Sequence, residues 1–414
     1  MSRTAASLAH LSDDKLLEGV QRQTFAFFWD GAEKASLLAR DRCTTKSVPD
    51  NDLVAVGGSG FGIMALIVAV ERGWVSRQAA AARLTRMLDL LARATCYHGA
   101  LPHFLHGKTG QTIPFGRKDD GGDLVETSLL MMGLLTARQY FDRAGEAAIR
   151  GCITQLWEDV EWDWYTQGSD VLSWHWSPNN GFAMNHAIRG WNETLITYVL
   201  AAGAPRHGIA ANVYDRGFCT GPDYRSGKTF YGVSLPLGPD LGGPLFFAHY
   251  SFCGLDPHDL KDRHAKYWQQ NVAQVKINLA HCIANPGGFK GYGANCWGIT
   301  ASDDADGYDA HAPGHDNGTI SPTAALSSIP YAPEAAMRAL RHFLKKKKVW
   351  GRFGFVDAFN ESRGWTADTY LAIDQGPIVV MIENYRSGLL WKLFMAVPEV
   401  QRGLRKLGFT SPRP

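Results

Sequence analysis

Residues 121–135 read Gly-Gly-Asp-Leu-Val-Glu-Thr-Ser-Leu-Leu-Met-Met-Gly-Leu-Leu, and they predict an apolar helix that begins with two acids. Positions i and i+3 share one face of a helix, so Asp123 and Glu126 point the same way. Acids near a helix N-terminus interact favourably with the helix dipole, and capping alone is one explanation of the pair. The other explanation is that both carboxyl groups work in a cleft.

A Gly-rich entry, an apolar helix, a short turn and an amphipathic helix follow one another twice in the chain. This pattern predicts helical pairs at residues 61–72 with 78–94 and at residues 123–141 with 147–157. Further helices are predicted at residues 16–29, 185–202, 209–214, 260–284, 333–344 and 377–394, and a short strand at 229–235. A recurring hairpin suggests a ring of hairpins, so we expect one predominantly helical domain.

Charge and composition exclude several classes of protein. With 414 residues and a formal net charge of +2, the chain gives no reason to expect a nucleic acid or an acidic membrane as partner. No segment approaches the roughly 18–20 apolar residues that span a bilayer. The first fourteen residues show no signal-peptide pattern. We therefore expect a cytoplasmic protein if the chain is complete and a periplasmic one if a signal has been removed.

The seven cysteines are scattered, and no two of them form a Cys-x-x-Cys pair. This argues against a zinc ribbon and against a disulfide framework, although one or two bridges remain open.

Aromatic residues are abundant, with 13 Trp, 14 Tyr and 20 Phe. Flat aromatic faces suit sugar rings, but a large aromatic core would produce the same composition. Unusual polar and aromatic residues gather in the loops that precede the predicted helices, at residues 101–120, 174–178, 288–300, 302–316 and 354–367. In a ring of hairpins, loops from one end converge, and such loops commonly carry function.

Two further acids lie near predicted helix starts. Glu193 lies between Trp191 and an apolar run at 195–200, where burial of an unpaired acid is costly. It is either a solvent-facing or capping acid, or a general acid whose pKa is raised by its surroundings. Asp374 precedes a helix that we expect to begin at Pro377, and capping would also explain this acid. Three helices that each begin with an acid suggest a shared site.

Two loops resemble known motifs without matching them. Residues 302–307 look like a calcium loop, but position 12 would be Pro313 instead of glutamate, so a polar ligand-contacting loop is favoured over a metal site. Residues 57–62, Gly-Gly-Ser-Gly-Phe-Gly, lack the Lys and Ser/Thr of a P-loop. Close helix packing or a tight loop explains these glycines.

Several motifs together resemble the glycoamylase-like domain of glycoside hydrolase family 144, over about residues 11–409. They are Gln23-Thr24-Phe25-Ala26-Phe27-Phe28-Trp29-Asp30, Ala39-Arg40-Asp41-Arg42, Gly57-Gly58-Ser59-Gly60-Phe61-Gly62, Gly122-Asp123-Leu124-Val125-Glu126-Thr127, Trp191-Asn192-Glu193 and Asp374-Gln375-Gly376-Pro377. The resemblance implies an all-α fold, an (α/α)6 toroid with long cleft-forming loops and a few short strands. Residues 1–10 would be an N-terminal tail, and residues 11–414 a single catalytic domain.

The same resemblance implies inverting hydrolysis of β-1,2-glucan to sophorose or short sophorooligosaccharides. The family's important acids correspond to Glu193, Asp123, Glu126 and Asp374 in this sequence. We take Glu193 as the general acid and leave the base open among the other three, acting directly or through a water or hydroxyl relay. From loop position we expect substrate contacts from Asp119, Arg117, His103, Trp176, His249, Phe289, Tyr292, Trp297, Asp304 and Tyr308.

We expect a β-glucan as the partner, and no cofactor or metal. Two alternatives stay open on the same toroid, a β-1,2-glucan transglycosylase and a non-catalytic β-glucan-binding protein. A lyase is disfavoured because basic residues are scarce in the predicted cleft loops. The sequence does not indicate an oligomeric state.

Overall fold

The computed structural model describes residues 4–411, and within them the chain is mostly helical. Its α-helices are α1 Ala5–Ala9, α2 Asp13–Asp30, α3 Val56–Glu71, α4 Arg77–Leu91, α5 Leu124–Tyr140, α6 Ala147–Glu158, α7 Leu195–Gly203, α8 Ala211–Val213, α9 Tyr267–Ala284, α10 Pro322–Ser327, α11 Pro333–Phe343, α12 Ala372–Ser387, α13 Leu389–Met395 and α14 Pro398–Lys406. Short 3-10 or π turns occupy Ala144–Glu146, Trp164–Thr166, Tyr214–Phe218, Asp240–Gly242, Leu245–Ala248 and Ser251–Cys253.

Fifteen short strands occupy the loops of this described part of the chain. They are β1 Arg42–Thr44, β2 Leu53–Ala55, β3 Phe104–His106, β4 Thr112–Ile113, β5 Gly122–Asp123, β6 His175–Trp176, β7 Arg225–Phe230, β8 Val233–Leu237, β9 Ala301–Asp304, β10 Gly307–Ala310, β11 Trp350–Gly351, β12 Gly354–Phe355, β13 Phe359–Asn360, β14 Trp365–Thr366 and β15 Thr369–Leu371. They form two-stranded antiparallel ladders and one three-stranded sheet, β2-β3-β4. Strands are more numerous than the sequence predicted, because pairs this short leave little periodicity to detect.

The central helices pack side by side in the order α7, α5, α3, α12 and α10. Helices α3 and α5 run parallel and approach closely, because Gly60 and Gly133 face each other's backbone. A Cβ at Gly60 would lie 2.2 Å from the carbonyl oxygen of Leu129, and a Cβ at Gly133 would lie 2.2 Å from the carbonyl oxygen of Gly60. The predicted explanation of close helix packing for residues 57–62 is therefore confirmed, and the tight-loop alternative is wrong.

Outer helices cover the central series. Helix α2 packs on α12, α6 on α5, α14 on α7 and α11 on α10, while α4 contacts both α3 and α6. Almost all buried apolar side chains form one cluster, and a small second cluster lies beneath the β7–β8 hairpin. The consequence for the site is that the first turns of α3, α5 and α12 lie at the same end of the molecule.

Several predicted helix starts were wrong: two helices begin earlier than predicted and two begin later. Helix α3 begins at Val56, before its glycines, and α12 begins at Ala372 with Pro377 inside it, so Asp374 lies in the first turn and does not precede the helix. Helix α7 begins only at Leu195, so Glu193 lies two residues before it, in a loop that the sequence assigned to the helix. Helix α9 likewise begins seven residues after residue 260.

The predicted strand at 229–235 is two strands. Tyr231 and Gly232 have φ of +52° and +77°, which is the type I′ geometry that joins β7 to β8. The glycine within the apolar run was the signal for this turn.

Other expectations concern the chain as a whole. Within the predicted tail, Ala5–Ala9 forms a helix that buries Leu8 in the core, and residues 1–3 lie outside the described part. All seven cysteines are free thiols, so no bridge forms among them. Of the helices in residues 4–411, none combines the length and apolar character that a bilayer crossing needs.

Candidate active site

The N-terminal ends of α3, α5 and α12 converge on two adjoining cavities. Their volumes are about 780 Å³ and about 430 Å³, and both are lined by His103, Phe115, Glu126 and Trp174. Asp123 and Asp119 line the larger cavity, and Glu193 and Tyr308 line the smaller one. Positive ends of helix dipoles at this place favour negatively charged groups. Three of the four predicted catalytic acids, Asp123, Glu126 and Glu193, therefore meet in one cleft.

Asp123 is the N-cap of α5, so capping is part of its role. Its Oδ1 accepts hydrogen bonds from the amides of Val125 and Glu126 at 3.0 and 2.9 Å. Strand β5 pairs with β6 so that Asp123 lies opposite His175. The carboxylate is thereby fixed by the helix start on one side and by a two-residue ladder on the other.

Two imidazoles face the second oxygen of Asp123. His103 Nδ1 lies 3.3 Å and His175 Nε2 lies 3.4 Å from Asp123 Oδ2, and His175 Nε2 also lies 3.2 Å from Asp119 Oδ2. Burial lowers the pKa of both imidazoles, but the surrounding carboxylates outweigh it and raise the pKa of His103 to about 9 and of His175 to about 10. Burial raises the pKa of Asp123, and its two imidazole partners more than reverse this, so it is held well below its usual range. This group is an ionised network.

Glu126 lies one helical turn after Asp123 and faces both cavities. Its Oε2 accepts a 2.6 Å hydrogen bond from the amide of Gly57 in the first turn of α3. Burial raises the pKa of Glu126, and the neighbouring charge of Asp123 raises it further. Glu126 is therefore a much weaker acid than Asp123, although the two are three residues apart.

Glu193 lines the smaller cavity from the loop before α7. Ser251 Oγ donates a hydrogen bond to the backbone carbonyl oxygen of Glu193 and not to its carboxyl group. This contact therefore fixes the backbone of the loop. Burial raises the pKa of the Glu193 side chain to about 7, and the charges of Asp123 and Glu126 contribute to the shift. A carboxyl group with this pKa is protonated in part of the enzyme near neutral pH, as a general acid must be.

Asp374 is buried next to the wall of the smaller cavity. Its neighbours Leu371 and Ile373 line that cavity, whereas Asp374 itself lies behind them. Its carboxyl group is hydrogen-bonded to the carboxyl of Asp357, and burial together with the Asp357 charge raises its pKa well above the usual range. Asp374 does not cap α12, since Leu371 holds the N-cap position.

The structure brings seven of the fourteen predicted site residues to the cavity walls. They are Glu193, Asp123, Glu126, Asp119, Arg117, His103 and Tyr308. The other seven do not line these two cavities, for reasons that differ from residue to residue.

Two of those seven belong to the packed interior, and a third, Trp176, is half-buried and packs against it. Trp297 is fully buried and donates through Nε1 to the carbonyl oxygen of Ala335, so it is a core residue. His249 is buried against Ser328 Oγ at 2.9 Å, and burial lowers its pKa to about 3. Trp176 packs in an aromatic cluster with Trp164.

Phe289, Tyr292 and Asp304 belong to a separate network of loops. The Phe289 ring packs on Tyr292, and Tyr292 Oη donates to Asp316 Oδ1 at 2.7 Å. Asp304 Oδ2 accepts from Asn317 Nδ2 and lies 3.3 Å from His311 Nε2. These side chains hold the loops that follow α9 and do not face either cavity.

Sequence reasoning missed several residues that line the cleft. They are Asp41, Arg42, Phe104, Phe115, Lys118, Trp174, His175, Asn180, Met184, His186, Phe246 and Tyr250. Asp41 and Arg42 belong to one of the quoted motifs, so these two had a signal. Five more lie in loops already singled out, namely Phe104, Phe115, Lys118, Trp174 and His175. The partner of Asp374, Asp357, had none beyond its position in the loop at 354–367.

His103, Asp119 and Asp123 offer ligand atoms that lie within 4.8 Å of one another, which is compatible with a metal ion. However, His175 Nε2 contacts both aspartates at hydrogen-bond distance. Since His175 is an imidazolium at neutral pH, the carboxylates of this group are already balanced by protein cations.

Residues 185–398, just over half of the chain, match the family model called Glycoamylase. The protein belongs to the glycoamylase family. This member is also 45% identical over 433 aligned positions to the exo beta-1,2-glucooligosaccharide sophorohydrolase (non-reducing end) of Parabacteroides distasonis. That alignment covers 98% of this chain and 60% of the relative, so the chain spans about three fifths of the length of its curated relative.

Solved structures extend the comparison to the fold. The endo-beta-1,2-glucanase from Chitinophaga pinensis, solved in a complex with sophorotriose and glucose, superimposes with a TM-score of 0.95. Its sequence is 52% identical, and the match covers 98% of this glycoamylase-family chain and all of that one. The endo-beta-1,2-glucanase from Talaromyces funiculosus is only 12% identical, with a TM-score of 0.64 over 94% of this chain and 89% of that one, and shares the fold alone.

Proposed function

We propose that this glycoamylase-family protein hydrolyses β-1,2-glucan to sophorose or short sophorooligosaccharides, with inversion of the anomeric carbon. The observation that carries the proposal is the buried Glu193 carboxyl, with its pKa near neutrality, in the wall of an aromatic-lined cleft. The identity with two β-1,2-glucan hydrolases of known activity supports the substrate. The site residues and the stereochemistry are part of the proposal.

The architecture we propose is an (α/α)6 toroid in which residues 11–414 form one catalytic domain. The unbroken series α7, α5, α3, α12 and α10, with outer helices packed behind it, supports a closed ring of hairpins. In such a ring α7 and α12 lie on opposite sides, because α5 and α3 separate them. Glu193 and Asp374 then flank the cleft from opposite sides.

Glu193 donates its proton to the leaving glycosidic oxygen, and a water attacks the anomeric carbon from the opposite face. Asp123 is a poor base, because two helix amides and two imidazoliums engage its carboxylate. The charge of Glu126 raises the pKa of Glu193, so we take Glu126 as a neighbour of the acid and not as the base. Asp374 is therefore the base, and it acts through a water or a substrate hydroxyl because its carboxyl lies behind Leu371 and Ile373.

Asp123 and Glu126 support the acid. The Asp123 network keeps His103 and His175 cationic, so that they can donate to sugar hydroxyls. Glu126 raises the pKa of Glu193 through its charge. Phe115, Trp174 and Tyr308 offer aromatic faces for the sugar rings.

Chromatography of the products from β-1,2-, β-1,3- and β-1,4-glucans, with polarimetry during the reaction, tests the proposal. We expect sophorose or short sophorooligosaccharides from the β-1,2-glucan alone. Inversion of the β-linkage means that the α-anomer of the product is released first. Elongated or cyclic products would identify a transglycosylase, and binding without any product would identify a glucan-binding protein. Release of the retained anomer would contradict inversion.

A further inference from the structure

Asp357 is a buried acid that the reaction described above leaves without a role. It lies between β12 and β13, and only 2% of its surface is exposed. Its Oδ2 accepts a 2.6 Å hydrogen bond from the amide of Asp303, and its carboxyl is also hydrogen-bonded to that of Asp374. Asp357 thus connects the first turn of α12 to strand β9.

Two carboxyl groups can share a hydrogen bond only if one of them is protonated. Asp357 Oδ1 and Asp374 Oδ2 are buried, and in the part of the chain that the structure describes neither has a donor from another residue. Burying two ionised carboxylates side by side would be very costly. The two groups therefore hold one proton between them and carry a single negative charge.

The surroundings strengthen this arrangement. The titratable and charged groups that face the pair are Asp41, Arg42, Tyr250, Asp303 and Tyr308. Arg42 is the one cation among them, and it lies 3.2 Å from Asp303, whose charge opposes ionisation of the pair. Burial raises the pKa of both Asp357 and Asp374, and the aspartate charges around them raise it further.

We infer that Asp357 is a positioning residue for the base, which holds the Asp374 carboxyl by sharing one proton with it, so that the pair accepts a second proton as one unit. The inference rests on the proposed function, because it takes Asp374 as the base. During turnover the water oxygen bonds to the anomeric carbon while the bond to the leaving oxygen breaks. The water proton passes to the pair, the proton of Glu193 passes to the leaving oxygen, and solvent then returns a proton from the pair to Glu193.

Asp357→Asn tests this role. The asparagine amide keeps the shape and donates a hydrogen bond to Asp374, but it has no proton to share. A shared proton stabilises the single negative charge of the pair, so the pair takes up a second proton only at a lower pH than Asp374 would alone. We therefore expect the acidic limb of the kcat profile to move by about one pH unit to higher pH in Asp357→Asn, and kcat on the acidic side of that limb to fall about tenfold, with KM unchanged. Asp309→Asn is the matched control, since Asp309 lies exposed on the neighbouring strand β10 and pairs with His315.

A variant with the kcat and acidic limb of the wild type would overturn the inference. So would a lower melting temperature with an unmoved limb, because a merely structural residue would behave in that way. The shared proton can also be detected without substrate. In infrared difference spectra at about pH 8, we expect the wild type to show a protonated carboxyl band that Asp357→Asn lacks. If the band is present but wild-type protein cleaves no β-1,2-glucan, the proposed function fails while the proton-sharing pair stands.

Discussion

The amide of Gly57 donates a 2.6 Å hydrogen bond to Oε2 of Glu126, which joins the first turn of α3 to the first turn of α5. The first amides of a helix have no partner within the helix, so α3 has this donor to offer. The space is equally restricted, since a Cβ at Gly57 would lie 2.7 Å from the same oxygen. The glycine-rich stretch and the acid pair, which are separate motifs in the sequence, therefore form one unit in the fold.

The close approach of α3 and α5 makes a stability prediction at Gly60. Gly60→Ala would place its Cβ 2.2 Å from the Leu129 carbonyl oxygen, so the helices must separate. We expect a loss of about 3 kcal/mol in the free energy of unfolding, measured by urea titration. Gly151→Ala is the control, because this glycine lies in α6 with open space around it, and alanine there should stabilise by up to about 1 kcal/mol. Equal effects of the two substitutions would contradict the packing argument.

Glu193→Gln removes the proposed general acid without changing its shape. We expect kcat on β-1,2-glucan to fall by about a thousandfold, with little change in melting temperature, because general acid catalysis contributes on this scale. The measurement is the rate of reducing-sugar release. Glu334→Gln, an exposed acid on α11, should retain wild-type turnover. Near-normal turnover of Glu193→Gln would exclude this residue as the acid.

The pH dependence of kcat/KM gives a second test of Glu193. The group must be protonated to act, and burial raises its pKa to about 7, so activity should decline as the pH rises through about 7. Glu126→Gln removes a neighbouring negative charge and should lower the pKa of Glu193. The basic limb should then move to lower pH. A limb that stays in place would show that another group controls it.

The ionised network around Asp123 should make the stability of the protein depend on pH in both directions. The raised pKa values of His103 and His175 mean that their stabilisation is complete below the unfolded value of about 6.5 and is lost as the pH rises through about 9 to 10. The lowered pKa of Asp123 means that its stabilisation is present above about 3.9 and is lost as the pH falls.

Asp123→Asn keeps an N-cap residue but removes the charge that the two imidazoliums share. We expect the melting temperature of the wild type to fall between about pH 7 and about pH 10, and that of the variant to fall less. Parallel curves for the two proteins would mean that Asp123 does not hold the imidazoles in their charged form.

The sequence predicted the site where the signal is local. Acids such as Asp123 and Glu126, at the entry of an apolar helix, are recognisable within a single turn, and the structure brings both to the cleft. Trp297 and His249 lie in loops like those of the residues that line the cleft, but both side chains are buried in the core. The burial of such a residue depends on which helices cover its loop, and no local sequence pattern indicates this. The Asp357–Asp374 contact joins a loop to the first turn of α12, and only the fold brings these two segments together.

Trp174 and Trp176 are two residues apart but lie in different environments, which separates binding from packing. Trp174 lines both cavities and its ring stacks on His186 at 4.6 Å, whereas Trp176 packs on Trp164 at 5.4 Å outside the cleft. We expect Trp174→Ala to raise KM for β-1,2-glucan about tenfold, the effect of losing one aromatic platform of about 1.4 kcal/mol, with a small change in melting temperature. We expect Trp176→Ala to lower the melting temperature and to leave the KM of the folded enzyme close to that of the wild type. Saturation kinetics and thermal unfolding, measured on the same preparations, test both expectations. If Trp176→Ala raised KM and Trp174→Ala lowered only the melting temperature, the sugar platform would be Trp176 instead.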